Sequence, residues 1–198
     1  NRNPDVDLLN LNNQKNLLKT VQANKIIFIS TIDVYDKKID VNEKSIIDNQ
    51  KLDNYSKNRY DFENFLKNQF DNYHIIRLPM LFGRGLKKNV LYDLQHNQFL
   101  QNINKNSIFQ WYCLNNLFKD INYIIKEKIK LINLISEPIK INEMIMRYFK
   151  YKSFDNNKNL IQTNIKSLHA PINSQCGNYI YSKKQILKDM DNYFLLVD

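Results

Sequence analysis

Lys25-Ile26-Ile27-Phe28-Ile29-Ser30-Thr31 and Tyr73-His74-Ile75-Ile76-Arg77-Leu78-Pro79 are two short, apolar, isoleucine-rich runs, one ending in hydroxyls and the other in a proline. Such runs read as strands buried on both faces of a parallel sheet. Between them, Tyr55 to Phe70 places Phe62, Phe65, Leu66 and Phe70 at helical spacing. Strand, helix and strand make a βαβ unit, whose crossover is expected to be right-handed. Ligands of open α/β sheets bind outside the carboxyl ends of the strands, which here are Thr31 and Leu78-Pro79. Tyr55 and Arg59 are four apart and share one helix face, so a phenol and a guanidinium can meet there. The polar stretch from Asp36 to Asp53 is a loop long enough to carry both to that edge.

Outward from this unit the pattern stays mixed α/β. Residues 1 to 24 read as a helix with Leu8, Leu11, Leu17, Leu18 and Val21 as its apolar stripe. After Gly83 and Gly85, a short helix is expected over Val90 to Leu94, a strand over Ile108 to Tyr112 and an amphipathic helix over Leu114 to Ile129. A further strand follows at Lys130 to Ile135, then a helix from Ile141 to Tyr151 whose stripe of Ile141, Met144, Ile145 and Tyr148 is core packing. Ser153 to Ser174 is polar and irregular, and Tyr179 to Leu187 reads as a Ser-capped final helix.

Composition limits the function classes. With 198 residues, 43% hydrophobic and 25% charged, the chain is one globular domain, or one with a small appendage. The net charge of +9 raises nucleic acid as a partner. The lysines are scattered singly or in pairs, however, with no basic block, and solvated lysines are the reading adopted. Cys113 and Cys176 are far apart and His74, His96 and His169 isolated, so no metal site is expected; Cys113 is expected to be a buried thiol. No apolar run reaches the length of a membrane span and the first residues form no signal peptide, so no membrane partner is expected and the cytoplasm is the default location.

Three segments in order, Ser30-Thr31-Ile32-Asp33-Val34-Tyr35, Tyr55-x-x-x-Arg59 and Arg77-Leu78-Pro79-Met80-Leu81-Phe82-Gly83, resemble the extended short-chain dehydrogenase/reductases, the NAD-dependent epimerase/dehydratase family. The family pattern is Ser-(Ser/Thr)-x-x-Val-Tyr, then Tyr-x-x-x-Lys, then Arg-x-x-Asn-x-Tyr-Gly. Asn10, six positions before Asn16-Leu17-Leu18, fits the preceding helix. The resemblance implies an α/β fold: the C-terminal part of a Rossmann-type parallel sheet with helices on both faces, plus a small α/β substrate-binding subdomain. Residues 1–83 would be a partial NAD(P)-binding domain and 84–198 the substrate part, with 107–135 returning to the sheet. A family member should open with a strand and Gly-x-x-Gly-x-x-Gly, whose amides and following helix receive the pyrophosphate. Only Gly83, Gly85 and Gly177 are present. The chain is therefore expected to lack the first βαβαβ half by truncation, and to expose a strand edge and an apolar face.

The resemblance also implies an enzyme acting on a nucleotide sugar or related carbohydrate with NAD or NADP. Tyr55 would be the acid/base, Thr31 would hold the substrate oxygen, and Arg59 would support the phenolate, since a fixed cation lowers a phenol's usual pKa near 10. Asn10, Ser30, Leu78 and Pro79, with Tyr55 and Arg59, would contact cofactor. Asp33, Met80, Lys88 and Asn89 would contact substrate, and a homodimer through the two long helices is implied. Three departures weigh on the assignment. Arg59 replaces a lysine, which is not a conservative exchange; Met80 replaces the asparagine that touches nucleotide sugars; Asp36 replaces a loop glycine. No acidic residue follows Thr31 directly, which favours a reductase or epimerase over a dehydratase. Two other readings stay open: a non-catalytic relative serving as a binding module, and a nucleic-acid binder motivated by charge alone.

Overall fold

The computed structural model of the protein describes residues 3–149, 158–170 and 176–195. Three parallel strands in the order β1 (Ile26–Thr31), β2 (Tyr73–Leu78) and β6 (Leu131–Asn133) form the main sheet. Ile26 lies opposite Tyr73 and Thr31 opposite Leu78, so the two motif-bearing strands end level with each other. β2 is in the middle and its residues from His74 to Leu78 are all buried.

Helices α1 (Pro4–Leu18) and α2 (Asn54–Gln69) cover one face. Leu11, Phe62 and Leu66 pack with Ile26 and Phe28, and the Phe28 and Phe62 rings are 4.9 Å apart. α1 starts where Asn3 accepts the amides of Asp5 and Val6, with a proline and two aspartates in its first turn, residue types that suit a helix N-terminus. α4 (Leu117–Lys126) lies toward the other face, where Ile124 joins Ile76 and Ile132 in the largest core cluster. That cluster contains no residue of β1. Ile27 and Ile29 are accordingly 40% and 41% exposed, so the expectation that β1 is buried on both faces fails on one of them. The cause is position: β1 is the margin of the sheet, and an outer strand needs a neighbour and a second helix layer to bury both faces.

The remainder packs beside the sheet's carboxyl end. β3 (Met80–Phe82) pairs in parallel with β5 (Trp111–Cys113), and β4 (Ile108–Phe109) pairs antiparallel with β7 (Ile139–Lys140). The single strand expected over Ile108 to Tyr112 is thus two strands joining different partners. Gln110 is the switch: its side chain bonds the Ser136 and Ile165 carbonyls and the Ile165 amide, and its own amide goes to Thr163 Oγ1. α3 (Val90–His96), α5 (Ile141–Tyr148) and α6 (Lys183–Leu195) complete this part. Ser182 Oγ accepts the Gln185 amide, the expected cap, but Tyr181 before it bridges to Ser136 and is not helical. Part of the irregular stretch expected over 153–174 lies outside the described residues, as does Tyr151 at the end of the α5 expectation.

Candidate functional site

The βαβ geometry sets Thr31, the start of α2 and Leu78-Pro79 at one edge. β1 ends at Thr31, whose hydroxyl oxygen accepts the Asp33 amide (3.1 Å) and so opens a 3-10 turn, Ile32–Val34. The same hydroxyl donates to Asp33 Oδ2 (3.2 Å), and the other oxygen of that carboxylate forms an ion pair with Lys38. Leu78 and Pro79 are buried behind it. α2 begins after Asp53, whose carboxylate accepts the Ser56 amide at 2.8 Å. That bond holds the Asp53 carboxyl below the usual carboxylate range.

Tyr55 is half-buried in the first turn of α2. The Arg59 guanidinium carbon is 4.9 Å from the centre of its ring, one turn on, a cation–π contact along the helix. Phenol and guanidinium do meet. Arg59 also donates from Nη2 to Asp7 Oδ1 (2.8 Å), and Asn58 Nδ2 donates to Asp7 Oδ2 (3.1 Å). An acidic residue of α1 therefore shares the positive charge that the Tyr55 ring faces.

Beneath this edge lies a buried ionic cluster. Glu63, two turns beyond Tyr55 on the same helix, is fully buried and accepts a bidentate pair from Arg77 on β2 at 3.0 and 2.6 Å. Ser30, the neighbour of Thr31, donates to the same carboxylate at 2.6 Å. Arg77 also lies over the Tyr35 ring (4.8 Å), and Tyr35 OH meets Asn133 Oδ1 (3.2 Å) on β6. Burial pushes the Tyr35 phenol up, against the pull of Arg77 and Asn133. Burial works against the Arg77 cation, but the Glu63 carboxylate outweighs it and raises the guanidinium further. Lys67, 3.8 Å from Glu63, is pushed down by desolvation. The cluster ties α2 to both β1 and β2, and so fixes how far Tyr55 stands from the strand ends.

The other residues singled out from sequence spread around this edge. Asn10 is exposed on α1, Met80 is half-buried in β3, and Lys88 is exposed. Asn89 caps α3: it accepts the Leu91 and Tyr92 amides and donates to the Leu81 carbonyl at 2.6 Å. Ser30 spends its hydroxyl on Glu63. Asp7, Lys38 and Glu63 were missed. Glu63 had a legible signal, a carboxylate between Phe62 and Leu66 on the apolar stripe, which demands a buried cation such as Arg77. Asp7 had none, because its partner is 52 residues away.

No protein-family model matches the sequence, and the comparison with curated proteins finds no match either. Solved structures do match. A dTDP-4-dehydrorhamnose reductase from Yersinia enterocolitica superposes with a TM-score of 0.64 at 17% identity, over 93% of this chain and 70% of that one. The UDP-glucuronic acid 4-epimerase from Bacillus cereus in complex with NAD gives 0.64 at 18% identity, over 92% and 68%. A UDP-galactose 4-epimerase gives 0.66 at 10% identity, over 84% and 63%. The chain has the fold of the extended short-chain dehydrogenase/reductases. At these identities the likeness establishes the fold, with parallel strands and helices on both faces, and this chain spans roughly two thirds of each of these proteins.

Proposed function

We propose that the chain is the larger part of an NAD(P)-dependent reductase or epimerase acting on a nucleotide sugar or related carbohydrate. Residues 1–83 would belong to the dinucleotide-binding unit and 84–198 to the substrate part, with 107–135 returning to the sheet. The observation that carries this reading is the Tyr55–Arg59 stack in the first turns of α2, the helix joining β1 to β2, strands whose ends, Thr31 and Leu78, lie level. The fold shared with structures named as sugar-nucleotide reductases and epimerases supports it.

The residues fit a nicotinamide dinucleotide in part. Thr31, Tyr55 and Arg59 would receive the nicotinamide and its ribose, but no glycine-rich turn opening a helix is present to cradle the pyrophosphate. When bound, the nicotinamide gives or takes the hydride. The chain's own residues handle the proton. Thr31 orients the substrate oxygen while Asp33 orients the Thr31 hydroxyl; Tyr55 takes or returns the proton, and Arg59, stacked on its ring and bonded to Asp7, positions it. Met80 in place of an asparagine points away from the usual nucleotide-sugar contact, so a related carbohydrate fits equally. A homodimer is part of the proposal, supported by Val6, Leu9 and Leu17, which are 51 to 66% exposed on α1.

The test is oxidation of NADH or NADPH with 4-keto sugar nucleotides, followed at 340 nm. Turnover should disappear in Tyr55→Phe while nucleotide binding stays. Turnover that survives in Tyr55→Phe removes the acid/base assignment. Cofactor binding with no turnover on any sugar nucleotide would leave the non-catalytic binding module as the reading.

A further inference from the structure

At the end of the sheet opposite Thr31, the segments entering β1, β2 and β6 surround a cavity of about 350 Å³. Lys25 comes from the first segment, Asp71, Tyr73 and His74 from the second, and Lys128 and Lys130 from the third. All three lysines are exposed, and among the described residues none has a carboxylate within ion-pair distance. Asp71 is the one carboxylate in the wall. Lys128, just past α4, offsets the partial negative charge of that helix end; Lys25, before β1, and Lys130, next to β6, have no such task. The Lys130 ammonium is 5.2 Å from the centre of the Tyr73 ring.

His74 forms part of the wall and is only 3% exposed. Its Nδ1 is 2.6 Å from the Ile129 carbonyl oxygen. A carbonyl only accepts, so Nδ1 carries the hydrogen, and Nε2 is the ring atom without a hydrogen-bond partner among the described residues. A concave site with three ammonium groups that form no ion pair among the described residues, against one carboxylate in its wall, is suited to a doubly charged anion.

We propose that this cavity binds the phosphate group of a small organic phosphate, held by Lys25, Lys128 and Lys130, with the His74 ring in its wall as a reporter. Its volume is at the lower end of small-ligand sites. A nucleic-acid backbone would need a stripe of cations continuing across the surface, whereas these lysines, from the segments before β1 and β6, line one concavity. The site is separate from the Thr31–Tyr55 edge and does not depend on the function proposed for it.

The experiment is a titration of the chain with inorganic phosphate, and then pyrophosphate, read by NMR of the His74 ring at constant ionic strength against chloride. A saturable shift of the His74 signals with phosphate and none with chloride is expected. Lys25→Gln with Lys130→Gln should weaken it about tenfold, about threefold for each exposed ammonium removed. An identical response to chloride overturns the proposal. So does a phosphate affinity unchanged by the double substitution in a chain whose amide spectrum remains native. A short RNA that binds far more tightly than pyrophosphate, with a salt dependence of several phosphates, would replace the small-ligand site by a nucleic-acid surface.

Discussion

Two buried carboxylates are satisfied in opposite ways. Glu63, under the candidate site, is neutralised by a cation: Arg77 forks onto both oxygens and Ser30 adds a third bond. Asp120, in the C-terminal part, accepts from two neutral phenols, Tyr112 OH and Tyr181 OH, each at 2.6 Å on the same oxygen. Burial and then the Asp120 charge push both phenols well above their ordinary value. The first arrangement binds a helix to two strands through charge. The second ties the segment leading into α6 to β5 and α4 through hydroxyls. A full countercharge and two polarised hydrogen bonds are alternative answers to the same desolvation problem, and they fail under different conditions.

The largest effect is expected from Glu63→Ala. Leaving Arg77 buried without its partner should cost about 3–5 kcal/mol in urea unfolding. Glu63→Met with Arg77→Met should cost clearly less than the two single changes together; an additive result would mean that the pair is not a unit. Asp120→Ala should cost about 2–3 kcal/mol, because two buried phenols lose their acceptor.

Alkali acts on the phenols. The phenols of Tyr112 and Tyr181 titrate higher in the folded than in the unfolded chain. Their contribution is therefore complete below about pH 10, where unfolded tyrosine ionises, and falls as pH rises beyond it. Tyr112→Phe with Tyr181→Phe should flatten that part of the alkaline loss, and Tyr35→Phe the part that the raised phenol beside Arg77 contributes.

In acid the sign reverses. Asp53, the cap of α2, titrates lower when folded, so its stabilisation is present above about pH 4 and disappears as pH falls through its depressed value. Asp53→Ala should cost about 1 kcal/mol at neutral pH and shed that part of the acid dependence. The smallest effect belongs to Asp7→Asn, about 0.5–1 kcal/mol, since its bond to Arg59 is partly solvated.

The βαβ unit was legible because local pattern and global fold agree there. Ile-rich runs, a 3.6-residue stripe and a proline stop placed β1, α2 and β2, and with them the Tyr55–Arg59 contact. What was not legible depended on distant partners. The break at Gln110 is imposed by Ser136, Thr163 and Ile165, and nothing inside Ile108 to Tyr112 announces it. The Asp7 contact follows from the packing of α1 on α2, which no periodicity encodes. Asn89 illustrates a third limit. A loop asparagine can touch a ligand or cap a helix, and its bonds to Leu91 and Tyr92 supply the cap.

The outer margin of β1 also carries a time signature. The Ile26 amide points inward to the Asn72 carbonyl, and strand geometry alternates, so Phe28 and Ser30 face β2 as well. The amides of Ile27, Ile29 and Thr31 point outward, where no strand pairs with them among the described residues. In deuterated water this strand would exchange as a two-beat code, every second proton lost early and every second one retained. The code would fall silent once another strand was laid alongside.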